Sequence, residues 1–279
     1  MSILNMPMTD YDYEYLDVSL RGPEDDEFWI ELDQPEKLNA VNAKMHEELT
    51  YVFKDAYESD TRVVVLTGKG EAFCPGGDAE WMPDHIDDIE VFMHTIREGE
   101  EILENMINLE KPIVARVQGP CLALGTTLAL YCDIVVASEN ATFGDVHPQM
   151  GLVSGDGGAV IWPLLTSLNK AKEFLMTGRT IDAADAEDMG LVNHVVPQEE
   201  LDEKVAELVD ELATLPQYAV RYSKMVANAH LQMAWTMAGR QGLALEALSS
   251  QVPDHREAAD AFLNDREPDY PTARDSDHE

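Results

Sequence analysis

Two alternating segments, YEYLDVSL and EFWIELD, flank the turn-forming RGPEDD, the pattern of a β-hairpin. Apolar residues then recur at helical spacing (Val41, Met45, Leu49, Val52, Phe53, Ala56) through NAVNAKMHEELTYVFKDAYES, which predicts a helix. RVVVLTGKG is a short, continuously apolar run ended by Thr-Gly, the signature of a buried strand, and GKGEAFCPGGD after it is a glycine-rich loop. A long acidic helix is expected through DIEVFMHTIREGEEILENMINLE, stopped at Lys111-Pro112. PIVARVQG reads as the next strand, PCLALGTTLALYC as a helix of small residues, and DIVVASENATFG as a strand and turn.

The order strand, glycine turn, buried helix, strand recurs, which predicts an α/β fold built from repeated strand–strand–helix units. From GGAVIWPLL onward almost every segment has helical periodicity: Asn169–Met176, Ala183–Met189, Gln198–Ala213, Tyr218–His230 and Met233–Ser250, with Pro253 breaking the last before HREAADAFLND. The chain therefore divides into a strand-rich core over residues 1–200 and a helical part over 201–279. The closing EPDYPTARDSDHE is polar and is expected to fray.

Composition changes this picture mainly through charge. With 54 Asp and Glu against 19 Lys and Arg, the formal net charge is −35. Nucleic acid is excluded as a partner, because phosphate binding needs a basic surface. The acids are spread over the helical segments and not gathered in a tail, a dispersed pattern that resembles salt-adapted cytosolic proteins, in which screening removes self-repulsion. No apolar run reaches about 18 residues, so no membrane helix is expected. MSILNMPMTDYDYEYL lacks the basic and apolar regions of a secretory leader. Cys74, Cys121 and Cys132 have no metal-ligand spacing and read as buried small hydrophobes in a reducing, cytoplasmic compartment.

Six segments in order resemble the crotonase (enoyl-CoA hydratase/isomerase) family: DQPEKLNAVN, VVVLTGKGEAFCPGGDAEWM, KPIVARVQGPCLALGTTLALYCDIVVASENATFG, GLVSGDGG, EFLMTGRTIDAADAEDMGLVNHVV and AFLNDREPDY. They cover the chain from Glu31 to Tyr270. The resemblance implies a crotonase-like spiral with a helical C-terminal oligomerisation region, assembled as a homotrimer or a dimer of trimers. It also implies an acyl-CoA substrate, with coenzyme A as part of that substrate and no separate cofactor. Matched by position, the backbone N–H groups of Gly77 and Leu124 would form an oxyanion hole for the thioester enolate; losing one such donor costs roughly 3–4 kcal/mol of transition-state stabilisation. Leu124 departs from the glycine or alanine common there. Lys37, Ala40, Cys74, Gly76, Asp78, Trp81 and Thr127 would surround the substrate, with Lys37 toward the nucleotide end of CoA.

A larger departure concerns the chemistry. Hydratases of the family use two glutamates, and the matching positions here hold Thr127 and His147. Threonine is no general base near neutral pH, whereas an imidazole with an ordinary pKa near 6.5 suits proton transfer there. In GDVHPQMGLVSGDGG, Asp156 follows His147 by nine positions, where a carboxylate could fix the imidazole tautomer. With Glu246 in GLALEALSS the trio resembles the β-diketone hydrolase (oxocamphor hydrolase) branch, in which an activated water cleaves a C–C bond. The plain alternative makes Asp156 the N-cap of the helix beginning at GGAVIWPLL. His85 and His94 border the expected acyl pocket. Trp162 reads as packing, and no metal-ligand spacing surrounds HPQM. Three functions stay open: an enoyl-CoA hydratase or isomerase using His147, a C–C hydrolase using His147, Asp156 and Glu246, and an acyl-CoA-binding paralogue without turnover.

Overall fold

The computed structural model describes residues 11–273. Residues 1–10, on which most of the leader reading falls, and 274–279 of the polar tail lie outside the described residues. The opening hairpin pairs β1 (Leu16–Arg21) with β2 (Glu27–Leu32), Leu16 opposite Leu32. Asn42 caps α1 (Ala43–Glu58), its side chain accepting from the Met45 amide at 2.8 Å. β3 (Val63–Gly68) is buried at all six positions because both of its faces are covered. Val64 and Leu66 turn toward the main core with α1, whereas Val63 and Val65 join a second cluster on the opposite face.

The acidic segment forms a short helix α2 (Met82–Asp87) and the long α3 (Ile89–Asn108), whose apolar stripe (Phe92, Ile102, Leu103, Met106) faces the core. β4 (Ile113–Val117) and the three-residue β5 (Pro120–Leu122) precede α4 (Leu124–Leu130). The expected helix over PCLALGTTLALYC is thus shortened at its start, where Pro120–Leu122 pair as a strand. β6 (Ile134–Ser138), β7 (Thr142–Gly144), α5 (Gly158–Leu165) and α6 (Leu168–Thr177) follow.

Beyond them lie β8 (Ile181–Asp182), α7 (Ala183–Asp188) and β9 (His194–Val196), then α8 (Leu201–Thr214), α9 (Gln217–Ala234), α10 (Arg240–Ser250) and α11 (Pro253–Leu263). β8 and β9 interrupt this region, which reads as almost entirely helical from sequence; two or three residues are too few to display alternation. The main sheet runs β1-β2-β3-β4-β6-β9 and is parallel apart from the hairpin; β5, β7 and β8 form a second, smaller sheet. α8 lays Leu201, Val205 and Val209 on Val63, Val65, Val114 and Val136. This is the expected mixed α/β architecture, with helices at its C-terminal side. The polar tail is tied down as far as it is described: Thr272 N–H donates to Asp254 at 2.9 Å and Asp269 N–H to Glu257 at 2.7 Å.

Candidate active site

The site begins with two chain segments running side by side. Cys74 and Cys121 form a parallel bridge, in which Leu122 N–H donates to the Cys74 carbonyl at 2.9 Å. Three residues onward in each segment stand Gly77 and Leu124. At Gly77 a second parallel bridge uses the Gly76 carbonyl and the Asp78 N–H on Val41, both at 2.8 Å. Because neighbouring peptide groups in extended chain point to opposite sides, the Gly77 N–H faces away from Val41. Open space surrounds Gly77, where an added Cβ would meet nothing within 4 Å. Leu124 is the first residue of α4, so its N–H has no carbonyl within the helix. Neither amide donates to an acceptor among the described residues.

The register is held by close packing. Gly76 has φ +109°, and a Cβ there would sit 2.8 Å from the Ala123 Cβ; a Cβ on Gly125 would lie 2.1 Å from the Cys74 carbonyl oxygen. Cys74 and Gly76 thus form the wall behind the two amides and do not line the cavity, contrary to the expectation that they touch substrate. All three cysteines are free and buried.

A cavity of about 660 Å³ opens in front of Gly77 and Leu124. Lys37, Ala40, Asp78 and Trp81 line it as expected, as do His147, Asp156 and Glu246. Lys37 holds Asp78 and Glu80, each at 2.7 Å, so its charge is already shared between two carboxylates. Four histidines line the cavity: His46, His85, His147 and His255. His94 does not; its side chain is 73% exposed beside Glu98. Trp162 is fully buried and stacks on Phe174, as a packing residue should.

His147 opens the 3₁₀ turn His147–Met150 directly after β7. Its Nδ1 lies 2.6 Å from Oδ1 of Asp145, an oxygen that also accepts from Ser154 Oγ at 2.8 Å. Asp145, not Asp156, therefore fixes the tautomer. Nε2 turns toward Asp156 Oδ2 at 3.6 Å, and Thr127 Oγ1 donates to the other Asp156 oxygen at 3.3 Å. Thr127 thus holds Asp156 from behind the cavity wall and does not touch the space a substrate would fill. Gly157, not Asp156, occupies the N-cap position of α5, but the Asp156 carboxylate still meets the Gly158 amide at the first residue of that helix.

The glycines of GLVSGDGG set these distances. A Cβ on Gly158 would fall 1.9 Å from Asp145 Oδ2, and one on Gly155 would strike the Gly242 carbonyl at 2.3 Å and the Glu246 Cβ at 2.7 Å. Without side chains the loop presses onto α10 and brings Glu246 to the His147–Asp156 pair. Asp145 Oδ2, Asp156 Oδ2 and Glu246 Oε2 are all buried with no hydrogen-bond partner among the described residues.

Three carboxyl groups around one imidazole cannot all ionise freely. Burial alone would pull His147 down, but Asp156 and Asp145 outweigh it and hold the imidazole well above its ordinary value. Burial raises Asp156 against the opposing charge of His147. Burial and then the Asp156 charge push Glu246 up to about 8. At neutral pH Glu246 is therefore neutral, and with the raised His147 and Asp156 it forms an acid/base set poised for proton transfer. Asp145, His147 and Asp156 also bring one donor atom each within 4.8 Å of one another, a spacing a cation could bridge, which the sequence pattern did not suggest. His147 Nδ1 and Asp145 Oδ1 are already satisfied by each other, so the arrangement is first a hydrogen-bond relay.

Sequence reasoning missed Asp145, His46 and His255. Asp145 stood two residues before the histidine already singled out. The other two lie on α1 and α11, far apart in sequence, with no motif to join them.

The family model for enoyl-CoA hydratase/isomerase matches residues 28–273. The short-chain-enoyl-CoA hydratase of Clostridium acetobutylicum is 32% identical over 248 residues, covering 85% of this chain and 91% of that protein. A solved enoyl-CoA hydratase/isomerase from Mycobacterium paratuberculosis superposes with a TM-score of 0.85 at 36% identity, covering 90% of this chain and 99% of that one. A β-diketone hydrolase from the cyanobacterium Anabaena, solved with (S)-3-oxocyclohexyl acetic acid, gives a TM-score of 0.80 at 30% identity, covering 89% of this chain and 98% of that one. The chain belongs to the enoyl-CoA hydratase/isomerase family, the crotonase superfamily of enzymes that act on acyl-CoA thioesters.

Proposed function

We propose that this enzyme holds the thioester carbonyl of an acyl-CoA against the Gly77 and Leu124 amides and moves a proton with the His147–Asp156 pair. The observation that carries this reading is the juxtaposition of two unengaged N–H groups and a buried imidazole–carboxylate pair in one cavity. The amides would stabilise the enolate oxygen as negative charge develops. Nε2 and Oδ2 face each other at 3.6 Å without a hydrogen bond between them, so one can take a proton from carbon or water while the other returns one elsewhere on the substrate. Neutral Glu246 is a second proton source. Thr127 in place of a carboxylate leaves the two-glutamate route to water addition without support, so hydration or isomerisation would run through the histidine pair. Lys37 at the rim would meet the anionic nucleotide end of CoA by exchanging Asp78 and Glu80 for phosphate.

The test is turnover of crotonyl-CoA in low and molar salt, followed by loss of the conjugated thioester absorbance, for the native enzyme and His147→Ala. Turnover abolished in the variant supports the reading. Turnover that survives removes His147 from the mechanism.

A second reading is favoured by the convergence of His147, Asp156 and Glu246 and by the likeness to the Anabaena hydrolase. Here the pair would deprotonate a water that adds to one carbonyl of a β-diketone. The C–C bond then breaks, and the enolate left behind takes up a proton. Dependence on CoA separates the two readings, because a free diketone needs none.

The resemblance to trimeric crotonases leads us to assign the C-terminal helices to subunit contact, as a homotrimer or dimer of trimers. Val226, Met233 and Met237 on and just after α9 and Leu248 on α10 are exposed, an apolar surface that supports this assignment. No described helix is long and apolar enough to cross a membrane.

A further inference from the structure

The cavity wall facing α2, α3 and α11 is apolar apart from imidazoles and the Thr95 hydroxyl. Trp81 stacks edge-on against His85 at 4.2 Å between centroids, and Phe92 lies 4.9 Å beyond it. Such a wall suits an alkyl chain. Two histidines in it do not, and their hydrogen bonds define which polar groups they offer.

Thr95 Oγ1 lies 3.1 Å from His85 Nε2 and donates its own proton to the Val91 carbonyl at 3.3 Å. With the hydroxyl proton given to Val91, His85 Nε2 is the donor to Thr95, one of the two tautomers this contact allows. A carbonyl can only accept, so His255 Nδ1, 2.7 Å from the Met150 carbonyl, must likewise carry a proton. Both rings are held neutral, His85 pushed down to about 4 by burial with His46 and His255 adding to it, and His255 lowered by burial. In a neutral imidazole one nitrogen donates and the other only accepts. His85 Nδ1 and His255 Nε2 are thus lone-pair acceptors without a partner among the described residues, in residues that line the cavity.

We infer that the acyl part of the substrate carries a hydroxyl group beyond the thioester carbonyl, which donates to His85 Nδ1 or His255 Nε2. This rests on the acyl-CoA reading above and narrows it to a substrate class. A plain alkyl chain would leave both acceptors unsatisfied in an apolar wall, and a keto or ether oxygen would set lone pair against lone pair. A hydroxyl donor satisfies one acceptor while its carbon skeleton packs on Trp81 and Phe92.

The test is equilibrium binding by calorimetry of matched pairs: butanoyl-, hexanoyl- and octanoyl-CoA, each against its ω-hydroxy counterpart. The expected result is tighter binding of the hydroxylated member by about tenfold at one chain length, the value of one good hydrogen bond. His85→Phe preserves the stacking on Trp81 and Phe92 and removes the acceptor; His255→Phe removes the other. Loss of the hydroxyl preference in either variant, with native circular dichroism, assigns the nitrogen responsible. Equal affinity within every pair, or a preference that survives both variants, would overturn the inference while leaving acyl-CoA binding intact. Failure of every thioester to bind would overturn the acyl-CoA reading itself and this inference with it.

Discussion

The Nδ1 of His147 lies 2.6 Å from Oδ1 of Asp145, two residues earlier in the chain, and this bond decides how the imidazole can act. Asp145 is 1% exposed and belongs to the turn that leaves β7, so the acceptor is fixed before any substrate arrives. Nε2 alone is left to face Asp156 and the cavity.

Asp145→Asn should therefore lower kcat/KM by about 100-fold, the scale on which a lost orienting partner acts. The amide can present its N–H to Nδ1 and invert the tautomer. Ser154→Ala, which removes only the second donor to the same oxygen, should cost several-fold. A pH–rate profile displaced in the Asn variant separates an effect on the imidazole from simple damage to the fold.

Glu246 sets an alkaline boundary. Its carboxyl is pushed up to about 8 by burial and by Asp156. A group whose folded pKa is raised stabilises the fold below its unfolded value, about 4.3 for glutamate, and loses that contribution as pH rises through the folded value. The raised His147 acts with the same sign, its ion pairs lost as pH climbs past its folded value. Thermal stability should accordingly fall between about pH 5 and 9. Glu246→Gln, a fixed mimic of the neutral acid, should flatten much of that fall in a melting series across pH.

Gly158 is required by Asp145. A Cβ at this position would lie 1.9 Å from Asp145 Oδ2, and that oxygen is sealed with no room to retreat into solvent. Gly158→Ala should destabilise the fold by about 1–3 kcal/mol, as overpacking of a close-packed interior does. It should also lower activity beyond that loss, because Asp145 must turn and carry His147 with it. Chemical denaturation and steady-state kinetics on the same preparation measure the two effects.

Lys37 should matter to affinity more than to turnover. Its ammonium is exposed and shared by Asp78 and Glu80, so Lys37→Ala should raise KM for a CoA thioester several-fold with kcat little changed. The difference should shrink as salt is added, since screening weakens a rim charge.

A net charge of −35 predicts that stability itself depends on salt. Self-repulsion across an acidic surface falls as the Debye length contracts to about 3 Å in molar salt. Melting temperature should rise steadily with potassium chloride. A flat response would remove the salt-adaptation reading.

What the sequence determined by itself was local or carried by order. Alternation placed the hairpin, continuous apolar residues placed β3, and the 3.6-residue stripe placed α1 and most of the later helices, because each of these patterns is complete within a few turns of chain. The family resemblance carried by CPGGD and LALGTT pointed to the two amides, and His147 stood out as an imidazole among glycines. β5, β8 and β9 escaped because they are two or three residues long, and such strands exist only through their partners. Tertiary structure alone decided that Asp145 and not Asp156 orients His147, since both carboxylates are near in sequence and only the turn after β7 chooses between them. It also decided that Cys74, Gly76 and Thr127 stand behind the wall, and that His85 on α2 and His255 on α11 share one cavity. Those facts depend on which side of a peptide or ring faces open space, and that is settled when the elements pack, not when they form.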